Sequence, residues 1–137
     1  MNESIDIVVP MFNEEDVIPL LVQRLEDVFS DEKAKTYGLG QVRYIFVDDG
    51  SKDKTVAVLK SQPFKRNKVK IICFSRNFGH QAAVNAGVMS ATADITAIID
   101  ADLQDPPEMI LEMLKFKREG YDVVYGQRKK RQEGMIK

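Results

Sequence analysis

The stretch that decides the fold is "ITAIIDADLQDPPEMILEML", residues 95–114. An apolar run at 95–99 leads into Asp100 and Asp102, and beyond a proline pair Met109, Ile110, Met113, Leu114 and Phe116 recur at three-to-four spacing. The first part reads as a buried strand and the second as an amphipathic helix. Asp105 is placed to cap that helix, Pro106 suits its first position, Glu108 completes a capping box, and Gly120 marks its end. Two carboxylates at the mouth of an apolar strand repel each other and are costly to desolvate, so something positive is expected between them.

Comparable apolar runs occupy 5–9, 44–47, 69–74 and 121–125. They are mostly continuous instead of alternating, as expected of strands covered on both faces of a parallel sheet. Helical spacing joins Val17, Ile18, Leu21, Leu25, Val28 and Phe29, and further helices are predicted within 53–61 and 79–91. The segment "DEKAKTYGLGQ" is read as a loop before the second strand. The order βαβαβαβαβ predicts an α/β, doubly wound three-layer sandwich with right-handed crossovers.

No repeat, low-complexity tract or linker interrupts the pattern, so residues 1–137 are expected to form one domain. Lys+Arg number 20 against 21 Asp+Glu, a net charge of -1, which gives no general attraction to nucleic acid or to an anionic membrane. The single cysteine, Cys73, lies in an apolar strand and reads as buried. No window approaches the ~20 apolar residues that span a bilayer, and no secretory signal opens the chain, so a cytoplasmic location is expected. The close in "KKRQEGMIK" has no capping element, so the chain is expected to be the N-terminal part of a longer protein.

In a parallel sheet the segments after the strands emerge along one carboxyl edge, where open α/β folds bind ligands. Here they are "PMFNEE", "DDGSKDKT", "SRNFGH", "DADLQDPP" and "GQRKKR". Asp100 and Asp102 project to one side if extended and suit a hard divalent cation, magnesium or manganese, with the Gln104 amide oxygen a further ligand. The plainer reading is a solvated acidic loop. Asp48 and Asp49 suit a ribose hydroxyl or the N–H of a base, or an ordinary Asp-Gly turn. Asn13 and Glu14 stand at the entrance of the first helix, where Glu15 complements the helix dipole. Arg128 suits a phosphate held by two parallel hydrogen bonds, and the basic residues after it read as solvated. His80 reads as a capping or packing residue, and Arg76 and Asn77 as turn residues.

Together "VVPMFNEE", "FVDDGSKDKT", "SRNFGHQAAVNAG" and "DADLQDPPEM" with "EGYDVVYGQR" resemble, in order and spacing, the catalytic domain of family 2 glycosyltransferases. Within that family they resemble the dolichol-phosphate mannosyltransferase and undecaprenyl-phosphate (bactoprenol) glucosyltransferase group. The resemblance implies a GT-A type, Rossmann-like sandwich with a mostly parallel sheet. It implies that Pro10, Asn13 and Glu14 line a nucleotide pocket and that Asp48 or Asp49 holds the base or ribose. Asp100, Asp102 and Gln104 would bind the divalent metal that bridges the diphosphate, making the two aspartates catalytic, and Arg128 would contact phosphate. Many relatives carry a Lys-Glu pair where this chain has His80 and Gln81, so the resemblance assigns those two no role.

The implied reaction is a metal-dependent, inverting transfer of sugar from a nucleoside diphosphate to a polyprenyl phosphate. The full-length protein would sit at the cytoplasmic face of the membrane, touching it through segments absent here. A saccharide hydroxyl acceptor is an alternative. So is a nucleotidyltransferase, which would want a glycine-rich basic loop after the first strand. A non-catalytic receiver-type signalling domain would want its paired acids after the first strand and a lysine after the last.

Overall fold

The structure, a computed structural model, describes residues 2–120. In chain order the elements are β1 (Glu3–Met11), α1 (Ile18–Val28), α2 (Asp31–Thr36), β2 (Leu39–Asp48) and α3 (Thr55–Lys60). They continue with β3 (Lys68–Cys73), α4 (His80–Ser90), β4 (Ile95–Ile98) and α5 (Glu108–Arg118). The strand expected at 121–125 lies outside the described residues. Among the described residues every pairing is parallel and the order is β3-β2-β1-β4, so the α/β class and the parallel sheet stand as read.

β1 is central, and Ile5, Ile7, Val8 and Val9 are fully buried, which is why its sequence is apolar without alternation. Strand alternation sorts the neighbours onto two faces. Val8, Ile45 and Val47 pack with Ala83 of α4 on one face. On the other, Tyr44 and Phe46 stack with Phe64, and the Tyr44 hydroxyl donates to Glu26 of α1 at 2.7 Å. Helices thus cover both faces of the sheet. α1 buries Ile18, Leu21, Val22, Leu25 and Val28, a stripe at helical spacing, and begins with a proline in its first turn. α4 runs so close to the sheet that a Cβ on Gly87 would come within 2.3 Å of Val8 Cγ1.

Three expectations are corrected. Asp31–Thr36 is a helix, not a loop: Ser30 caps it by accepting from the Lys33 N–H, and Asp31 and Glu32 favour its positive end. The helix after the D-x-D stretch begins at Glu108, past both prolines, so Pro106 is not its first residue. Pro107 explains the delay, since a residue preceding proline is pushed out of the α region. Cys73 is exposed, because it ends a strand that, among the described residues, has a neighbour on one side only.

The chain forms two compact units, Met1–Pro107 and a second that starts with α5. Within α5, Ile110, Leu111 and Leu114 share one face, and Lys115, Lys117 and Arg118 oppose the negative end of its dipole. Gly120 takes φ +108° just past the helix, and its N–H donates to the Lys117 carbonyl at 3.1 Å. Among the described residues no helix is long and apolar enough to cross a membrane.

Candidate active site

The strand order fixes where a ligand can enter. The chain steps outward from β1 to β2 and β3, then α4 carries it back across the sheet so that β4 pairs with the far side of β1. Beyond the carboxyl ends of strands flanking such a reversal lies the binding crevice of open α/β sheets. A cavity of about 340 Å³ occupies it. Its wall is made by Pro10, Met11, Phe12 and Glu14 after β1, Asp49 after β2, Asn77, Gly79, His80 and Ala83 at the start of α4, and Asp100, Ala101 and Asp102 after β4.

The loops after β1 and β2 are laced together. The Asn13 N–H donates to Ser51 Oγ at 2.8 Å, and Asn13 Oδ1 accepts from the Lys52 N–H at 2.9 Å. The Glu14 N–H donates to Thr55 Oγ1, the Glu15 N–H to Asp53, and Glu15 accepts from the Lys54 N–H. Asp53 in turn accepts from the hydroxyl and N–H of Thr55. Some burial works against its charge, but these donors outweigh it and hold Asp53 below the usual carboxylate range. The lacing keeps Asn13 at φ +53°, a left-handed turn that asparagine tolerates, and sets Glu14 on the cavity wall. Asn13 itself therefore joins two loops and does not line the cavity.

The aspartate pair after β2 divides its work. Asp48, 3% exposed, accepts from the Ser51 N–H at 2.9 Å and from the Ser51 hydroxyl, so its carboxylate folds the turn and lies off the cavity wall. Asp49, 4% exposed, is on the wall but accepts from the N–H groups of Phe78 and Gly79 and from the Asn77 amide. It clamps the start of α4. Gly50, the residue after the pair, has φ +73°, and a Cβ there would sit 2.3 Å from the Arg76 carbonyl carbon, so only glycine allows the two loops to meet.

Glu14, Asp100 and Asp102 are different, because among the described residues none of them pairs with a lysine or arginine. Burial raises the Glu14 pKa, and the charges of Asp102, Asp53 and Asp100 raise it further. The D-x-D turn is held by the Gln104 N–H, which donates to Asp102 Oδ1 at 3.1 Å, while Leu103 between them is forced to φ +63°. That backbone, unfavourable for leucine, is the kind of strain that recurs at ligand sites. Gln104 is exposed and its side chain is not on the cavity wall. His80 Nε2 lies 3.7 Å from Asp100 Oδ1.

Among the described residues, no three His, Cys, Asp or Glu side chains stand close enough together to hold a metal unaided. A closed protein cage of the structural-zinc kind is therefore absent from this region. Two carboxylates on the wall of one cavity, with no lysine or arginine paired to them among the described residues, do fit magnesium or manganese, which are commonly held by one or two carboxylates with water and substrate phosphates completing the shell.

Of the residues singled out from sequence, the structure thus gathers Pro10, Glu14, Asp49, Asp100 and Asp102 around one cavity, and leaves Asn13, Asp48 and Gln104 off its wall. Arg128 lies outside the described residues. His80 and Asn77, read as cap, packing or turn residues, are on the wall, and His80 caps nothing. Their place on the carboxyl edge was the available signal. The receiver-type reading fails on topology: that fold sets its first strand between the second and third, whereas β1 lies between β2 and β4.

The chain matches the sequence profile of Glycosyl transferase family 2 over residues 6–135. It is 50% identical over 125 residues to the uncharacterized glycosyltransferase YkcC of Bacillus subtilis, covering 91% of this chain and 37% of that protein. It is 37% identical over 135 residues to the prophage bactoprenol glucosyl transferase homolog of Escherichia coli, covering 98% and 42%. To the undecaprenyl-phosphate 4-deoxy-4-formamido-L-arabinose transferase of Photorhabdus laumondii it is 36% identical over 138 residues, covering 98% and 40%. The chain thus spans about two fifths of the length of these relatives. A mannosyltransferase from Pyrobaculum calidifontis, solved with GDP-Man and Mn2+, superposes with a TM-score of 0.67 at 19% identity, covering 84% of this chain and 32% of that one. Glucosyl-3-phosphoglycerate synthase from Mycobacterium tuberculosis, solved with Mg2+ and UDP, gives 0.62 at 20% identity, covering 88% and 41%. The shared fold is the GT-A arrangement.

Proposed function

The chain belongs to glycosyl transferase family 2, and from that premise we propose that it is the donor-binding domain of a metal-dependent, inverting glycosyltransferase acting on a polyprenyl phosphate. The observation that carries this reading is the set of carboxylates, Glu14, Asp100 and Asp102, around one cavity at the reversal of strand order, with no lysine or arginine paired to them among the described residues. For a donor that is a nucleoside-diphosphate sugar, that set suits a cation-linked diphosphate.

Asp100 and Asp102 would hold the divalent ion, with Gln104 moving in as a further ligand. When bound, the ion neutralises the negative charge that builds on the departing diphosphate. Pro10, Glu14 and Asp49 form the wall on which the nucleoside would lie, and Asp48 and Asn13 keep that wall in shape. Arg128 would add a second contact to phosphate.

Two features favour a phosphate acceptor. A phosphate monoester has a second pKa near 6 and already presents an anionic oxygen, so no base is needed to form the new bond. Relatives are named for undecaprenyl phosphate and bactoprenol. A sugar hydroxyl would need a base, and Glu14, whose pKa is raised, is the carboxyl suited to that role in the alternative reading.

Calorimetric titration of the chain with UDP, GDP and their sugars, with and without manganese, tests the proposal. Binding to at least one of them that strengthens with manganese is expected. Affinity for none, or affinity indifferent to the ion, overturns it. In the longer protein, turnover with a short-chain polyprenyl phosphate and not with a free saccharide separates the two acceptor readings.

A further inference from the structure

We propose that His80 is a side chain by which this domain grips the diphosphate of the donor, beside the contact proposed for Arg128, an inference that rests on the donor-binding reading above. Among the described residues six polar side chains line the cavity: Glu14, Asp49, Asn77, His80, Asp100 and Asp102. Four are carboxylates, which when ionised can only accept hydrogen bonds. Asn77 donates its amide to the carbonyl and carboxylate of Asp49, at 3.3 and 3.1 Å. His80 makes no hydrogen bond among the described residues, and its 3.7 Å approach to Asp100 is too long to be one. Among the described residues it is the side-chain donor left unused on that wall.

The carboxylates can serve the hydroxyls and N–H groups of a nucleoside; a diphosphate needs a cation and an N–H donor. His80 stands beside Asp100, on the side of the cavity where the cation is expected, and so at the phosphate end. A neutral imidazole carries one N–H in either tautomer, so the contact does not require protonation. The residue is also rigidly mounted. The preceding Phe78 and Gly79 N–H groups are pinned to Asp49 at 2.7 and 3.1 Å, and Ala83, one turn on, is fully buried against the sheet. A donor held on a fixed helix start meets its ligand with little loss of freedom.

The test is to titrate the chain with UDP and GDP, and by NMR with uridine and guanosine, in the presence of manganese, for wild type, His80→Ala and His80→Gln. His80→Ala should weaken diphosphate binding at least about tenfold, the usual scale of a hydrogen bond to a charged group. It should leave nucleoside binding unchanged, and His80→Gln, which keeps an N–H donor, should recover most of the loss. The side chain is 64% exposed, so neither change should move the urea midpoint. Diphosphate binding by His80→Ala equal to wild type overturns the role of His80 alone, as does an equal loss of nucleoside affinity. Absence of diphosphate binding in the wild type overturns the donor reading and this inference together.

Discussion

Near its amino end β1 carries Asp6, 2% exposed, and just past its carboxyl end the chain carries Glu14. Asp6 is answered fully: Arg43 Nε and Nη2 donate to its two oxygens at 2.9 and 3.1 Å, and the Thr92 and Ala93 N–H groups donate to Oδ2. Burial pushes its pKa up, but the Arg43 and backbone hydrogen bonds together outweigh that and hold it below the usual range. At the other edge Glu14, Asp100 and Asp102 face one cavity, and no described lysine or arginine pairs with them. A buried charge with its partner in place is a structural joint; a group of charges left without one is a seat for a ligand that brings the opposite sign. The two edges can be perturbed separately, and the difference should then be measurable.

The largest effect is expected at the amino edge. Arg43→Met leaves Asp6 buried with only backbone donors, and should cost about 3 kcal/mol in urea unfolding, the low end for a broken buried pair because the Arg43 side chain is 25% exposed. Replacing both partners, as Asp6→Leu with Arg43→Met, should not restore stability, since the Thr92 and Ala93 N–H groups then lose their acceptor. Recovery to wild type would show that the pair is dispensable and that the contrast between the edges has been drawn too sharply.

α4 ties the edges together, with His80 on the cavity and the Ser90 carbonyl accepting from Arg43 Nη2 at 3.4 Å. Gly87→Ala should lever the helix off the sheet, because the new methyl meets Val8, a stiff β-branched side chain, at 2.3 Å and Val47 at 3.2 Å. A loss of about 2 kcal/mol is expected, the usual scale of overpacking. Nucleotide affinity should fall with it.

At the carboxyl edge the sign should reverse. Asp102→Asn removes one of the repelling charges, so without a cation the fold should be as stable as wild type or slightly more so, by less than about 1 kcal/mol. Its manganese-linked nucleotide affinity should fall at least about tenfold, since even outer partners of metal ligands are worth that much. Loss of stability in place of affinity would make Asp102 a structural residue like Asp6.

The two edges were not equally legible in the sequence. "DADLQ", "FNEE" and "DDGS" announce themselves because each is a polar cluster right after an apolar run, and a parallel sheet sends all such clusters to one edge. Asp6 and Arg43 gave no such signal: they are opposed only because the β1–β2 register pairs those two positions. Choosing between Asp48 and Asp49 needed the backbone of the following turn, which gives Ser51 to the first and the β3–α4 loop to the second. α2 was missed although Ser30, Asp31 and Glu32 are good starting residues, because only one of its residues, Ala34, is buried and no apolar stripe marks it. His80 reached the cavity through the crossover of α4, a matter of strand order and not of local pattern.

The smallest effect is the most diagnostic, because it sets the edges against each other in one titration. Asp6 has a lowered pKa in the folded chain, so its contribution to stability is complete above the ordinary aspartate range and is lost as pH falls through its folded value. Glu14 has a raised pKa, from burial first and then from Asp102, Asp53 and Asp100, so the folded state binds its proton more tightly than the unfolded state does. Its contribution is therefore unfavourable at neutral pH, and that penalty is relieved as pH falls from its raised value toward the ordinary glutamate range. Glu14→Gln should abolish this relief, leaving the variant more stable than wild type at pH 7, by less than about 1 kcal/mol for a half-buried group. Below the ordinary glutamate range the variant should lose that advantage, while the acid-side decline due to Asp6 remains in both proteins. Urea midpoints measured from pH 7 downward check the crossover. If the two profiles stay parallel throughout, the charges around the cavity do not feel one another, and the carboxyl edge has no special appetite for a cation.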